Sequence, residues 1–200
     1  MSQDHYFSRE PKTKPHYGLI QAHLHGRFFE FLTASGVFSK KRIDLGTRLL
    51  VESMVLPEVG NVLDLGCGYG AVGIVVGALR PRASVYLVDV NERAVRLAKE
   101  NAKRNGIRNT VFRSGYLYDA VNDLKFDVIL SNPPVSAGLK VVVPIIQRAP
   151  LHLVNDGSFQ MVVRSKIGGK RFFKIMEETF GNVDVLAVES GYRVLLSKKP

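Results

Sequence analysis

The chain has 200 residues, of which 46% are hydrophobic, and this suits one compact domain with a buried core. Its formal net charge of +10 favours a polyanionic partner, most simply nucleic acid, and disfavours a protein substrate. Cys67 is the single cysteine, so we expect no internal disulfide. The amino terminus has no apolar segment typical of a secretory signal, and the longest apolar run (71–79) is too short to span a bilayer. We therefore expect a soluble cytoplasmic protein without membrane contact.

Residues 1–56 are predicted to form an extension that packs on the core. Residues 1–27 are polar and basic and are predicted to be an irregular arm. The segment 27–39 is predicted to form a strand, a polar turn and a short second strand, and residues 44–56 a helix with a broad apolar face. His23 and His25 could share one face of a strand, but no Cys, Asp or Glu cluster accompanies them, so we expect no metal site.

Residues 57–200 are predicted to form the core, because strand and helix patterns alternate there until two strands follow each other at the end. The predicted strands are 61–65, 84–90, 109–114, 126–131, 157–164, 183–190 and 192–199, and the predicted helices are 71–80, 91–106, 138–153 (bent or started at Pro144) and 170–181. Such alternation is typical of the α/β class with a doubly wound, mostly parallel sheet, and the final pair adds an antiparallel strand. Ligands of such sheets bind at the carboxyl ends of the strands.

A glycine-rich turn, "LDLGCGYGAVG" (63–73), follows the first core strand. Gly66, Gly68 and Gly70 permit a tight turn and a close approach of a ligand to the backbone. The turn also fits G-x-G-x-x-G, a weak signal for a dinucleotide. Asp64 would repel a pyrophosphate but suits a cationic group of a ligand; its alternative role is to accept hydrogen bonds from amides of the loop.

Polar residues also end the next three strands. Asp89 ends the second strand, where a carboxylate can accept both hydroxyls of a ribose. Its alternative role is to cap the following helix, which Asn91 can already do. The third strand ends in "SGYLYD" (114–119), and the fourth ends in "SNPP" (131–134).

These strand ends resemble a known family. "LDLGCGYG", "LVDV" and "NPP" resemble class I S-adenosylmethionine-dependent methyltransferases that modify amino groups. "TASGVFS" (33–39) and "DLGTRLL" (44–50) narrow the resemblance to the methyltransferase small domain family, which includes bacterial small-subunit rRNA guanine-N2 methyltransferases. "HYFSREP" and "GYRVLLSKK" resemble its single-domain archaeal members. The resemblance implies a Rossmann-like, seven-stranded sheet with a reversed final hairpin and S-adenosylmethionine as cofactor.

The resemblance also implies roles for individual residues. The loop from Asp64 to Gly70 would wrap the methionine part of the cofactor, Asp89 would hold the ribose, and Tyr116, where relatives often have Asp or Asn, would flank the adenine. Phe38 and Ser39 would lie beside the cofactor and substrate pocket. The implied cofactor-binding set is Asp64, Gly66, Cys67, Gly68, Gly70, Asp89, Val90, Tyr116 and Asn132.

Asn132, Pro133 and Pro134 are the predicted catalytic residues. The exocyclic amino nitrogen of a purine is a poor nucleophile, because its lone pair is delocalised into the ring. The side-chain carbonyl of Asn132 and the backbone carbonyl of Pro133 can accept hydrogen bonds from both N–H groups and direct the lone pair toward the methyl group. The prolines restrict the backbone, so the two acceptors are preorganised. This chemistry requires no metal.

Val135 departs from many relatives, which have an aromatic residue there that stacks on the base. A stacking contribution of roughly 1–3 kcal/mol would therefore come from elsewhere, for which Phe38, Tyr17 and Tyr6 are candidates. Basic residues of the segment 164–174 and of the arm are predicted to contact phosphates. The candidates are Lys166, Lys170 and Arg171 in the segment and Arg9, Lys12 and Lys14 in the arm.

The sequence therefore predicts an RNA N-methyltransferase that acts on guanine N2 in small-subunit rRNA. Methylation of adenine N6 in nucleic acid, or of a glutamine side chain in a protein, would use the same Asn-Pro-Pro site. A non-catalytic RNA-binding or assembly module is an alternative from another class. A nicotinamide dehydrogenase would have no use for Asn-Pro-Pro. The oligomeric state does not follow from the sequence.

Overall fold

The computed structural model describes residues 14–39, 41–133 and 138–200. Nine strands and five α-helices lie in this part of the chain. In chain order they are β1 (Tyr17–Leu24), β2 (Arg27–Ala34), α1 (Leu45–Ser53), β3 (Gly60–Leu65), α2 (Ala71–Leu79), β4 (Ala83–Asp89), α3 (Glu92–Arg104), β5 (Thr110–Ser114), β6 (Phe126–Ser131), α4 (Leu139–His152), β7 (Leu153–Arg164), α5 (Lys170–Phe180), β8 (Asp184–Glu189) and β9 (Tyr192–Lys198).

Seven of the strands form one sheet in the order β5-β4-β3-β6-β7-β9-β8. The pairs from β5 to β7 are parallel, whereas β9 is antiparallel to both of its neighbours. The prediction of a doubly wound, mostly parallel α/β sheet with one antiparallel strand near the carboxyl terminus is confirmed. The strand order reverses between β3 and β6, and a ligand crevice is expected outside their carboxyl ends.

Apolar side chains cover both faces of this sheet. Along β3, Val62 packs into a cluster with α1, α2 and α3, whereas Leu63 packs into a second cluster with α4 and α5. Both side chains are fully buried. A strand that is apolar on both faces is typical of a parallel sheet covered by helices on each side.

The amino-terminal hairpin lies elsewhere than the sequence indicated. β1 and β2 pair through a turn at His25 and Gly26, both with positive φ (47° and 71°). The prediction of an irregular arm is therefore wrong for residues 17–24, which form a strand. The prediction of a hairpin within 27–39 is also wrong, because the partner of β2 precedes it in the chain. In β1, the buried residues Ile20, Ala22 and Leu24 alternate with exposed residues. This period of two is the signal that the polar composition of the segment obscured.

Two asparagines, Asn101 in α3 and Asn105 directly after it, attach the hairpin to the core. Asn101 donates to Leu32 O (2.9 Å) and accepts from Leu32 N (2.6 Å), and Asn105 makes the same pair of bonds with Glu30 (2.7 and 3.0 Å). The two carboxamides therefore satisfy the free edge of β2 as a further strand would. Beyond β2, Gly36 O accepts from the Asn91 side chain at 2.8 Å, so the turn at residues 35–39 lies at the carboxyl end of β4.

Most element boundaries differ from the prediction by a few residues, and two differences concern how an element begins. The helix predicted to bend or start at Pro144 begins earlier, at Leu139, and keeps Pro144 and Pro150 inside it. β7 begins at Leu153 rather than at residue 157. Within the described ranges, no helix has the length and apolar character to cross a membrane.

Candidate functional site

A cavity of about 460 Å³ lies at the carboxyl ends of β3, β4 and β6, where the strand order reverses. Many of its lining residues were predicted from the sequence as site residues: Phe38, Asp64, Gly66, Cys67, Gly68, Asp89, Val90, Tyr116, Asn132 and Pro133. These residues come from five separate segments, and the sheet brings them to one edge.

The glycine-rich turn folds over the end of β4. The backbone N–H groups of Gly66 and Cys67 both donate to Val88 O, at 2.8 and 3.0 Å. Gly68 has φ of +56°, and a Cβ built there would project into open space beside the cavity. A side chain at Gly68 would therefore be strained and would occupy room available to a ligand.

Gly70 lies in the turn but does not line the cavity. Its φ is +92°, and a Cβ would lie 2.9 Å from Ile74 Cδ1 and 3.0 Å from Ala98 Cβ. The residue is glycine because α2 and α3 approach closely there. Its predicted contact with the cofactor stays a prediction.

Asp64 is buried beneath the turn, with 2% of its surface exposed. Its Oδ2 accepts a hydrogen bond of 2.8 Å from Gly73 N in the first turn of α2. Burial raises the pKa of this carboxyl from 3.8 to about 7; the Gly73 bond opposes the shift and the nearby charge of Asp89 adds to it. Asp64 therefore accepts a hydrogen bond from a backbone amide, as the alternative to ligand binding predicted. It also lines the cavity, where a ligand could reach it.

Asp89 is half-buried at the end of β4. Its Oδ2 accepts from Gly68 N at 2.9 Å, and its Oδ1 accepts from Asn91 N at 2.8 Å. Burial raises the pKa of this carboxyl, and these backbone hydrogen bonds oppose the shift. The following helix is capped by Asn91, whose Oδ1 accepts from Arg93 N and Ala94 N.

Asn132 and Pro133 follow β6 and line the same cavity as the two carboxylates. The Asn132 amide nitrogen donates to Thr47 Oγ1 at 2.9 Å and to Asp44 Oδ2 at 3.2 Å. Its Oδ1 accepts no hydrogen bond from the described residues, so the oxygen is the atom available to a ligand. Pro134 and Val135, predicted to take part in catalysis and base contact, lie outside the described residues.

The remaining predicted substrate residues divide between the rim and the outside. Phe38 and Tyr116 line the cavity and are 39% and 49% exposed. Ser39 does not line it, and its hydroxyl donates to Arg42 O at 2.6 Å. The basic candidates, which are exposed and lie outside the lining, are Lys166, Lys170 and Arg171.

Four polar residues of the lining were missed as individual site residues: Asp44, Thr47, Arg164 and Tyr192. Arg164 ends β7 and pairs in register with Tyr192, the first residue of the antiparallel β9. A reversed strand presents its beginning, rather than its end, at the ligand edge. The first residue of the predicted last strand was therefore a usable signal.

The lining residues fit S-adenosylmethionine. The cofactor is a cationic amino acid joined through a sulfonium to a nucleoside, and the cavity offers two carboxylates at adjacent strand ends. The backbone of Gly66 and Gly68 also lines the cavity, and a Cβ built on either residue would meet no other atom. Apolar side chains of Val90 and Tyr116 border the Asp89 side, where an adenine would lie.

Comparisons with known proteins agree with this geometry. The family model of the methyltransferase small domain matches residues 29–196. The chain is 39% identical over 198 residues to the uncharacterized protein YbxB of Bacillus subtilis (strain 168), with 98% of each chain covered. It is 34% identical over 171 residues to ribosomal RNA small subunit methyltransferase C of Photorhabdus laumondii, with 84% of this chain and 49% of that relative covered. The chain therefore spans about half the length of this second relative.

Solved structures show the same likeness. The 16S rRNA N2 G1207 methyltransferase (RsmC) of T. thermophilus, solved in complex with AdoMet and guanosine, matches with a TM-score of 0.83 and 26% identity, covering 95% of this chain and 52% of that chain. A methyltransferase from Pyrococcus furiosus matches with a TM-score of 0.62 and 22% identity, which is a likeness of fold.

Proposed function

This chain belongs to the methyltransferase small domain family and uses S-adenosylmethionine as its cofactor, and we propose that it methylates the exocyclic N2 amino group of a guanine in small-subunit rRNA. The observation that carries the proposal is the orientation of Asn132. Its amide nitrogen is engaged by Thr47 and Asp44, so its carbonyl oxygen is the acceptor offered to a ligand in the cavity.

In this proposal, the chain's own groups align and polarise the amine. The bound cofactor supplies a methyl group activated by a sulfonium. Asn132 Oδ1 and the carbonyl oxygen of Pro133 accept hydrogen bonds from the two N–H groups, so that the nitrogen lone pair is directed out of the ring plane. Alignment of this kind lowers the activation barrier for methyl transfer by on the order of several kcal/mol. The amine proton leaves after transfer.

Guanine N2 is favoured over other amines by the named relatives. The relative from Photorhabdus laumondii is an rRNA small subunit methyltransferase, and the T. thermophilus structure was solved with guanosine. The net charge of +10 adds support for a nucleic acid substrate. An rRNA substrate implies that the protein works in the cytoplasm.

The exposed basic residues are proposed to hold the RNA backbone. Lys166 lies directly beyond β7, and Lys170 and Arg171 begin α5. Arg164 at the end of β7 and Ile167 line the cavity, and the three cations lie close to them in the chain, which supports a role beside the cavity. A base reaching the cavity must leave its stack, and cations that grip the neighbouring phosphates offset part of that cost. Phe38 and Tyr116 at the rim are candidates to stack on the extruded base.

The experiment that tests the substrate uses tritiated S-adenosylmethionine. Ribosomal small subunits, bulk tRNA, DNA and a protein extract are offered separately, and the labelled product is digested to nucleosides. Label in N2-methylguanosine from the small subunit is the expected result. Label in N6-methyladenosine, or in protein alone, would overturn the guanine assignment. Calorimetry without detectable binding of S-adenosylmethionine at sub-millimolar concentration would instead favour the non-catalytic module.

A further inference from the structure

The carboxamide of Asn132 contacts two residues from a distant part of the chain, Asp44 and Thr47. Asp44 comes directly before α1, and Thr47 is in its first turn. The Asn132 amide nitrogen donates to Thr47 Oγ1 and to Asp44 Oδ2, so each of its two N–H groups has an acceptor. The three side chains all line the cavity.

We propose that Asp44 and Thr47 are positioning residues, which hold the Asn132 carboxamide with its oxygen toward the cavity. The inference rests on the proposed function, in which that oxygen accepts from the substrate amine. Rotation of the carboxamide by 180° about its last bond would place Oδ1 against the Asp44 carboxylate. Two acceptors without a proton between them repel, and the amide N–H groups would then face the substrate amine.

The Asp44 carboxylate is suited to this task because other donors hold it in place. Its Oδ2 also accepts from the backbone N–H groups of Gly46 (3.0 Å) and Thr47 (3.2 Å), so the residue caps α1. Its Oδ1 lies 3.5 Å from the hydroxyl of Tyr192, which in turn accepts from Arg164 Nε at 2.8 Å. These donors fix the carboxylate in place, and its oxygens are the acceptors that it presents to the Asn132 amide.

A carboxamide without such partners would sample both orientations. In one orientation Oδ1 faces the substrate amine and accepts its hydrogen bond. In the other orientation the amide NH₂ faces the N–H groups of the amine, and no hydrogen bond can form. Loss of one partner is therefore expected to lower the turnover number while the affinity for the cofactor is retained. This separates a positioning role from a general defect of the cavity.

Thr47 provides the first test. Thr47→Val removes the hydroxyl with little change of shape, and Thr47→Ser restores it. We expect Thr47→Val to lower kcat by about 10-fold, a typical result of losing one buried hydrogen bond, and Thr47→Ser to recover most of it. Thr179→Val in α5 is the matched control, since that hydroxyl donates to Ile175 O within its own helix and lies outside the cavity lining.

Asp44 provides the second test, which separates capping from positioning. Serine is also a strong helix cap but is too short to keep the bond to Asn132, whereas asparagine keeps both a cap and a carbonyl acceptor. We expect Asp44→Ser to lower kcat by about 10-fold to 100-fold, and Asp44→Asn to retain more activity than Asp44→Ser. Thermal unfolding of each variant verifies that α1 remains capped.

Hydrogen exchange of the Asn132 side-chain amide tests its hydrogen bonds independently of turnover. The side-chain NH₂ resonances of Asn132 are assigned in the ¹⁵N-labelled protein with S-adenosylhomocysteine bound, by their absence from Asn132→Ala. We expect slow exchange of these protons with water, and faster exchange in Thr47→Val and Asp44→Ser. Unchanged exchange and kcat in both variants would overturn the positioning role. A substrate other than guanine would overturn the proposed function and leave this result standing.

Discussion

The carboxylate of Asp89 accepts a hydrogen bond of 2.9 Å from the backbone N–H of Gly68, which ties the end of β4 to the turn that follows β3. The other carboxylate oxygen accepts from Asn91 N at 2.8 Å. The two carboxylate oxygens together can accept about four hydrogen bonds, more than the backbone N–H groups of Gly68, Asn91 and Val90 use, so the carboxylate retains a site for a ligand hydroxyl. One side chain can thus shape the loop and hold a ribose.

If Asp89 holds the ribose, Asp89→Asn should weaken binding of S-adenosylhomocysteine by about 10-fold to 100-fold, because hydrogen bonds to a charged acceptor are lost. Calorimetry measures the change. The same measurement with 2′,3′-dideoxy S-adenosylhomocysteine is the critical control. That analogue lacks the hydroxyls, so the substitution should affect its affinity much less. Equal losses for both ligands would assign Asp89 to the loop alone.

Cofactor affinity should depend on pH through Asp64. Burial raises the pKa of Asp64 to about 7 without a ligand, and a cationic amino group binds best to the ionised form. We expect affinity for S-adenosylhomocysteine to be highest at about pH 7 to 8, where the carboxylate is ionised and the ligand amino group is still protonated, and to fall by up to about tenfold per pH unit below 7. Asp64→Asn should bind more weakly at pH 8 and lose this dependence. A pH profile retained in Asp64→Asn would assign the titration to another group.

The stability of the ligand-free protein should change in the opposite direction. The pKa of Asp64 is higher in the folded protein than in the unfolded chain, so its contribution to stability is greatest at low pH and is lost as pH rises through about 7. Asp64→Asn keeps an acceptor for Gly73 and removes the buried charge. Its Tm should therefore exceed that of the wild type by several degrees at pH 8 and by less at pH 5. Thermal melts at both values measure this, and an equal difference would contradict it.

Removal of the Asn132 side chain should separate chemistry from cofactor binding. Asn132→Ala leaves Asp64, Asp89 and the glycine-rich turn intact, so we expect nearly unchanged affinity for S-adenosylhomocysteine. Methyl transfer should fall on the order of 100-fold or more, the usual cost of losing a preorganised polar group. The matched control is Asn122→Ala at an exposed position beyond the site. Full turnover in Asn132→Ala would contradict the acceptor-pair mechanism.

Replacement of Lys166, Lys170 and Arg171 by alanine should weaken RNA binding without altering cofactor affinity. Each lost phosphate contact lowers the slope of log K against log salt by about 0.7 to 0.9, so the triple variant should show a slope smaller by about 2 to 3. Filter binding at several salt concentrations measures it. The control replaces Lys99, Lys103 and Arg108, three exposed cations on α3 and just beyond it. Equal changes in both triple variants would indicate a nonspecific charge effect.

Much of the architecture followed from patterns that are local in sequence. The order of strands and helices from residue 60 onward, and the cap at Asn91, depend on periodicity and on side chains within a few positions. The carboxyl-edge rule then indicated Asp64, Asp89 and Asn132. The hairpin was misplaced because its apolar period of two lies among polar and basic residues, and its stabilising partners, Asn101 and Asn105, come from a helix about 70 positions away.

The sequence by itself determined which residue types stand at the strand ends, and with them the resemblance to a methyltransferase family. Only the tertiary structure decided how these groups are oriented. The bond from Asn132 to Thr47 joins positions 85 residues apart, and Tyr192 reaches Asp44 across 148 residues. Hydrogen bonds between these distant segments depend on the packing of α1 against the part of the sheet that contains β9. No local propensity records that packing, because many segments must fold together before any such contact forms.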